Sequence, residues 1–362
     1  MNTQKIDLCF EQAIKDGVFS GAQVLFGVGT RRVFSQCYGT THRETGSQKV
    51  NSNTLFDIAS LTKVVSTLYL AMLAYDRGML KLEAAIAHYL KTWQGSDQIS
   101  IEQLLAHSSG LPDWAALYQD FIGQALSYQA LKEAFIQKIS QIPLKNQPGS
   151  QRVYSDLGFI LLGFILEEIF QESLEKLFER EVAQYLGLKH SLFNPLKHSQ
   201  QNVTQENIAA TENCPWRQKI LIGEVHDDNV WMLGGVAGHA GLFSCASDLE
   251  LWVQDIFKIL QGGGKKISQQ TFECFLRPPH EKILGWDTVS RPKSSAGQYF
   301  SPSSIGHLAF TGCSLWMDLE DSKYIILLTN RVYPHRENPA IKEFRPHVHD
   351  LLVETLYLST KA

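Results

Sequence analysis

Several large classes are excluded by what the chain lacks. Its 362 residues contain no CxxC pair, and Cys9, Cys37, Cys214, Cys245, Cys274 and Cys313 lie too far apart for a small disulfide framework, so reduced and mostly buried thiols are expected. No uncharged run is long enough to span a bilayer, and MNTQKIDLCFEQAIKDGVF puts acidic residues where a signal peptide needs an unbroken apolar stretch. A cytoplasmic protein is therefore expected. The formal net charge is only −4 and the basic residues are dispersed, which argues against nucleic acid or an anionic membrane as the main partner. Also missing are a fixed-period repeat, a GxSxG elbow, a dinucleotide GxGxxG after a strand, and the HExxH pattern of zinc hydrolases. What remains is small-molecule chemistry without a metal or organic cofactor, the oligomeric state being open.

The composition is that of an ordinary globular protein, 44% hydrophobic and 19% charged. An amphipathic helix carrying Ile6, Phe10, Ala13 and Ile14 opens the chain, and GAQVLFGVG and RRVFSQCYG then read as a strand hairpin. Near the other end IGHLAFTGCSLWMD and KYIILLTN read as a second strand pair turning at 320–322, followed by a helical tail over about 337–358. GGGKK at 262–266 is expected to join two helices. A lone hairpin cannot bury a face, so the terminal strands are expected to form one antiparallel sheet. Residues 1–80 and 226–362 would then carry the sheet with its flanking helices, and 81–225 would be an inserted, mainly helical lobe. A cleft between the two is a natural ligand site.

The stretch FDIASLTKVVSTLYLAML, residues 56–73, holds the strongest chemical signal. Leu61, Val64, Val65, Leu68 and Met72 follow helical spacing, with Gly78 as a stop. Ser60 and Lys63 then share a face one turn apart. A lysine among Phe56, Val64 and Val65 loses hydration, which lowers its pKa toward a neutral base able to take the serine proton. The bland alternative is a capping Ser60 with Lys63 reaching out to water. Two further SxxK pairs, Ser173/Lys176 and Ser290/Lys293, stand in polar surroundings that would not desolvate the amine.

A second constellation, NQPGSQRVYSDLGFILLGFILEEIF, delivers Tyr154, Ser155 and Asp156 directly before an apolar helix. Ser155 or Asp156 can cap that helix. Tyr154 offers a phenol that, beside a lysine, can shuttle a proton between nucleophile and leaving group. His226, Asp227 and His239 can be imagined as metal ligands, but their spacing fits no known ligand pattern, and positioning of loops near a cleft is the simpler reading.

Taken in order, FDIASLTKV, LLAHSSGLPDW, PGSQRVYSDLGFILLG, GGVAGHAGLFS, LGWD and IGHLAFTGCSLWMD make the chain resemble the serine β-lactamase and penicillin-binding-protein superfamily. The resemblance is to the branch of class C β-lactamases, D-alanyl-D-alanine carboxypeptidases and related esterases. It implies an α+β fold, a three-layer α/β/α sandwich with an antiparallel sheet and an inserted helical lobe. It also implies Ser60 as acylated nucleophile, Lys63 as its base, Tyr154 as proton shuttle and His307 as the third-box cation. Substrate-binding roles are implied for Asp156, for the backbone N–H near Cys313 as half of an oxyanion hole, and for Trp114 at the site rim.

Two departures stand out. Asp156 replaces the usual asparagine, and an anion there favours the lysine ammonium. His307-Leu308-Ala309 replaces Lys or His, Thr, Gly, and strand alternation puts Phe310 on the face opposite His307. The expected activity is a serine hydrolase working through an acyl-enzyme at Ser60 on a small ester, amide or peptide. A catalytically silent scaffold, or a metal-dependent hydrolase built on His226, Asp227 and His239, are the competing classes.

Overall fold

Two distant parts of the chain supply one sheet. The computed structural model describes residues 3–197, 203–277, 280, 281 and 283–358. Helix α1 (Gln4–Lys15) leads into strands β1 (Gly21–Val28) and β2 (Arg31–Gly39). Helices α2 (Tyr69–Asp76), α3 (Tyr128–Gln141), α4 (Asp156–Phe170), α5 (Ala246–Leu260) and α6 (Gln269–Leu276) follow. Strands β3 (Asp287–Thr288), β4 (Ile305–Leu308), β5 (Ser314–Met317) and β6 (Lys323–Thr329) then precede helix α7 (Ile341–Leu356). The spatial order is β2-β1-β6-β5-β4-β3, and every neighbouring pair is antiparallel.

Period-two alternation sorts the sheet into two buried faces. Ile325 and Leu327 of β6 join Val24, Phe26 and Trp316 against α1 and α7, through Ile6, Phe10, Phe344, Val348 and Leu352. Tyr324, Ile326 and Leu328 join Leu25, Leu315 and Met317 against α2, α4 and α5. With both faces covered, all seven positions of β6 are buried, and the strand reads as one apolar run. Phe10 stacks on Tyr38 at 4.2 Å between centroids and meets Phe344 edge-on at 5.3 Å. Burial of a side chain this size contributes about 2–3 kcal/mol. The result is a helix–sheet–helix sandwich. None of the helices among the described residues is long and apolar enough to cross a membrane.

The run IGHLAFTGCSLWMD departs from its expected form. It is two strands, β4 and β5, paired with each other across a tight turn in which Ala309 N–H donates to Cys313 O at 2.8 Å and Gly312 N–H donates to Ala309 O at 3.0 Å. The turn requires Gly312 at φ +98°, a conformation that disfavours any residue with a Cβ. Side-chain alternation therefore stops at Leu308. The expectation that Phe310 faces away from His307 fails for that reason.

Candidate active site

The local backbone decides how Ser60 is offered. Phe56–Asp57 pairs with the strand Leu242–Ser244, and the chain then makes a 3-10 turn at Ala59–Leu61, a π-helical stretch at Lys63–Leu68, and α2. Ala59 lies in the left-handed region, at φ +40°, a strained setting for a residue with a Cβ. The buried Asp57 holds it there: Oδ1 accepts from Ala59 N–H and Oδ2 from His226 N–H, each at 2.8 Å. Ser60 Oγ is thereby presented 3.0 Å from Lys63 Nζ.

Lys63 is fully buried. Its ammonium donates to Asp156 Oδ1 at 2.6 Å and to the carbonyl of His239 at 3.2 Å, and it lies 4.8 Å from the centre of the Tyr154 ring. Ser155 caps α4 by accepting from Gly158 N–H, which sets Asp156 at the first position of the helix and aims it at the lysine. The His239 carbonyl reaches the same point because Gly238 lies flush against α4. A Cβ on Gly238 would press into the Phe159 carbonyl oxygen and sit 2.8 Å from Gly163 N.

Of the two opposing expectations for Lys63, desolvation toward a neutral base and an ammonium favoured by Asp156, the surroundings support the second. Burial alone pushes its pKa down, but attraction to Asp156 and contact with Tyr154 outweigh that and hold it above the ordinary lysine value. These contacts favour the ammonium form of Lys63. Enclosure of its hydroxyl end also pushes the Tyr154 phenol up, Lys63 opposing. Tyr154 rests as a protonated donor.

His307 is not a cation. Burial first, then the nearby positive charge of Lys63, lowers its pKa to about 3. Its Nδ1 lies 2.8 Å from Leu308 O, and because a carbonyl only accepts, Nδ1 carries the proton and Nε2 is left as an acceptor. The Tyr154 ring stands between His307, 5.9 Å away, and the buried His107, 4.6 Å away. His107 Nδ1 accepts from Ser155 N–H at 3.0 Å and so fixes the entry to α4.

Ser60, Tyr154, Asp156 and Phe310 line two adjoining chambers. The larger, about 790 Å³, is walled by Arg152, Arg331, Lys342 and Arg345 together with His307. Arg345 is 4% exposed, donates to Gly312 O at 3.0 Å, and is lowered by burial to about 10. The smaller, about 370 Å³, holds Trp114, Asp227, Asp228, His226 and His239. Asp156, Asp227 and His239 bring one potential ligand atom each within 4.8 Å of one another. His226 is turned away from them, with Nε2 3.1 Å from Glu212.

Comparison with known proteins places the whole chain. The β-lactamase family model matches residues 6–349. The chain belongs to the β-lactamase family. It is 31% identical over 379 residues to the N-acetylmuramyl-L-alanine amidase of Bacillus subtilis (strain 168), covering 94% of this chain and 84% of that protein. In structure it is similar to EstCE1, a hydrolase with promiscuous acyltransferase activity (TM-score 0.70, 22% identity, 95% and 98% of the two chains covered). It is likewise similar to a class C β-lactamase (TM-score 0.70, 20% identity, 97% and 99% covered). The fold is thus the β-lactamase and transpeptidase one.

In this β-lactamase-family protein the Cys313 side chain stands outside the cleft, whereas the role expected there was for the backbone N–H. Cys313 is fully buried behind the β4–β5 turn, with Sγ 3.5 Å from Thr329 O, and burial pushes its thiol up to about 11. It lines neither chamber. Phe310, dismissed from the sequence on strand alternation, lines both and is 49% exposed. Trp114 stands at the rim of the smaller chamber, 44% exposed. Sequence reasoning passed over Arg152, Arg331 and Arg345. Only Arg152 left a local trace, two positions before Tyr154, because the others reach the cleft by tertiary folding.

Proposed function

We propose that this protein is a serine hydrolase that forms an acyl-enzyme at Ser60 on a small ester or amide. The observation that carries the reading is the enclosed chain Ser60–Lys63–Asp156, with contacts of 3.0 and 2.6 Å, open to a chamber on its serine side. Lys63 and Asp156 together are a neutral unit. When a substrate excludes water, Lys63 passes one proton to Asp156 and takes the Ser60 proton in its place, so that Oγ attacks the carbonyl. Tyr154, a phenol held protonated, donates to the departing amine or alkoxide and recovers its proton from the lysine side. Water then hydrolyses the acyl-enzyme by the reverse relay.

The developing oxyanion would lie between the N–H groups of Ser60 and Phe310, the latter replacing the position near Cys313. His307 contributes an Nε2 acceptor beside the leaving group in place of a positive charge. The arginines of the larger chamber complement an anionic group on the substrate, which compensates for the absent third-box threonine hydroxyl. The amidase relative is in keeping with amide cleavage, and the hydrolase EstCE1 with ester cleavage.

The test is a fluorophosphonate probe with the adduct located by mass spectrometry, repeated on Ser60→Ala and Lys63→Met. A single adduct on Ser60, absent from the first variant and slowed about a hundredfold or more in the second, is expected. Turnover of an ester panel without any Ser60 adduct would refute the acyl-enzyme.

A further inference from the structure

The smaller chamber has a charge that the proposed acyl transfer leaves unused. Four carboxylates line it, and three are committed elsewhere. Asp113 pairs with Lys145 at 2.6 Å, Asp156 with Lys63 at 2.6 Å, and Asp228 with Arg217 at 2.5 Å. The chamber's arginine, Arg336, is held by both oxygens of Glu212, at 2.7 and 2.5 Å. Asp227 has no lysine or arginine partner among the described residues. Its Oδ1 accepts from Val230 N–H at 2.8 Å and lies 3.2 Å from His239 Nε2.

His239 supplies a second, independent sign. It is 1% exposed and lines the same chamber, yet neither ring nitrogen has a partner with hydrogen-bond geometry; the approach to Asp227 is an ion-pair distance only. Burial pushes Asp227 up, but His239 and the Val230 N–H more than offset it and keep the group well below the usual carboxylate range, so it is an anion across neutral pH. Its side chain is 21% exposed and open to a ligand. Three exposed rings line the same chamber: Tyr154 already meets Lys63 at 4.8 Å and Phe310 meets Arg331 at 4.6 Å and His226 at 5.4 Å, whereas Trp114, 44% exposed, stands open to a ligand. A carboxylate that shares its chamber with an open indole suits an organic cation, through one charge-assisted hydrogen bond and cation–π contact.

We propose that this chamber binds a protonated amine carried by the substrate, on the side of its reacting carbonyl away from the arginine wall. The inference rests on the acyl-enzyme reading and adds the substrate class: short peptides or amino-acid esters with a free amino group. A metal ion fits less well. Asp156 already accepts from the Lys63 ammonium, which leaves two protein ligands, and a space of about 370 Å³ exceeds what an ion needs.

The experiment compares glycine, D-alanine and L-alanine p-nitroanilides and benzyl esters with their N-acetyl counterparts, for the parent protein and for Asp227→Asn. Asparagine keeps the helix cap at Val230 while removing the charge. For at least one residue kcat/KM is expected to favour the free amine about tenfold or more, and Asp227→Asn is expected to collapse that ratio toward one. Equal or faster turnover of the N-acetyl forms, or a ratio that survives the substitution, overturns the inference. So does tight Zn²⁺ binding in a calorimetric titration, lost in Asp227→Asn, with no amine preference. Fluorophosphonate labelling in parallel separates the two levels: Ser60 labelled without amine preference sinks the amine site alone. If Ser60 is not labelled, titrating Ser60→Ala with alaninamide and N-acetylalaninamide reads the chamber without turnover, and equal affinities refute the site.

Discussion

Replacing Asp156 by asparagine tests the ion pair at the centre of the mechanism. Lys63 is wholly buried and 2.6 Å from Asp156 Oδ1, whose side chain is 19% exposed. Stripping one partner from a buried pair costs about 3–5 kcal/mol. Here the cost is reduced, because Ser60 Oγ and the His239 carbonyl still accept from the ammonium, at 3.0 and 3.2 Å, and an amide oxygen can occupy the Asp156 position. A loss of about 2–3 kcal/mol at pH 7 is expected.

The pH dependence carries the sign. In the parent protein the Lys63 pKa is raised above its unfolded value of about 10.4, so its stabilisation is fully present below that pH and is lost as pH rises through the folded value. In Asp156→Asn desolvation loses its main opponent and the lysine pKa falls. Urea unfolding should therefore show a gap between the two proteins at neutral pH that closes in the alkaline range. Acylation follows the same logic. The parent keeps one proton shared within the pair, giving a flat rate around neutrality, whereas the variant reacts only through the fraction of free amine and gains about tenfold per pH unit below its new pKa. Stopped-flow labelling from pH 6 to 9 reads this. Superimposable rate profiles together with equal urea midpoints would refute the reasoning.

Two other perturbations probe the surroundings. Gly238→Ala forces a methyl group into the Phe159 carbonyl and should cost about 1–3 kcal/mol in urea unfolding while slowing Ser60 labelling, because the His239 carbonyl is pushed off Lys63. An unchanged labelling rate would detach that carbonyl from the chemistry. His107, His307 and His349 are all buried with lowered pKa values, so the unfolded chain binds protons that the folded one refuses, and stability should fall as pH drops below about 6.5. Each contributes about 1.4 kcal/mol by pH 5.5, and a flat unfolding free energy between pH 7.5 and 5.5 would contradict the burial argument.

Local pattern was a good guide where the physics is local. The opening helix, the β1–β2 hairpin and the C-terminal helix follow from spacing alone, and burial on both sides explains why β6 is one apolar run. The run from Ile305 to Asp318 misled because a glycine turn breaks two strands that read as one. Spacing brought Ser60 and Lys63 to one face; the lysine's charge depends on Asp156, 93 residues away, whose influence came only from the resemblance and not from local pattern. The same limit explains His307: its neutrality comes from enclosure and from Lys63, and neither is written in the letters around it. Phe310 was missed because alternation was extended past the end of β4.

Lys63 and Asp156 ride on enclosed helical segments, whereas Trp114, Arg152, Phe310 and Arg331 stand on turns and loops. Rim residues can change without disturbing the Lys63–Asp156 pair. A lineage built this way can drift between nitrogen and oxygen leaving groups, or trade one clientele for another, by rewriting its doorway while its engine stays put.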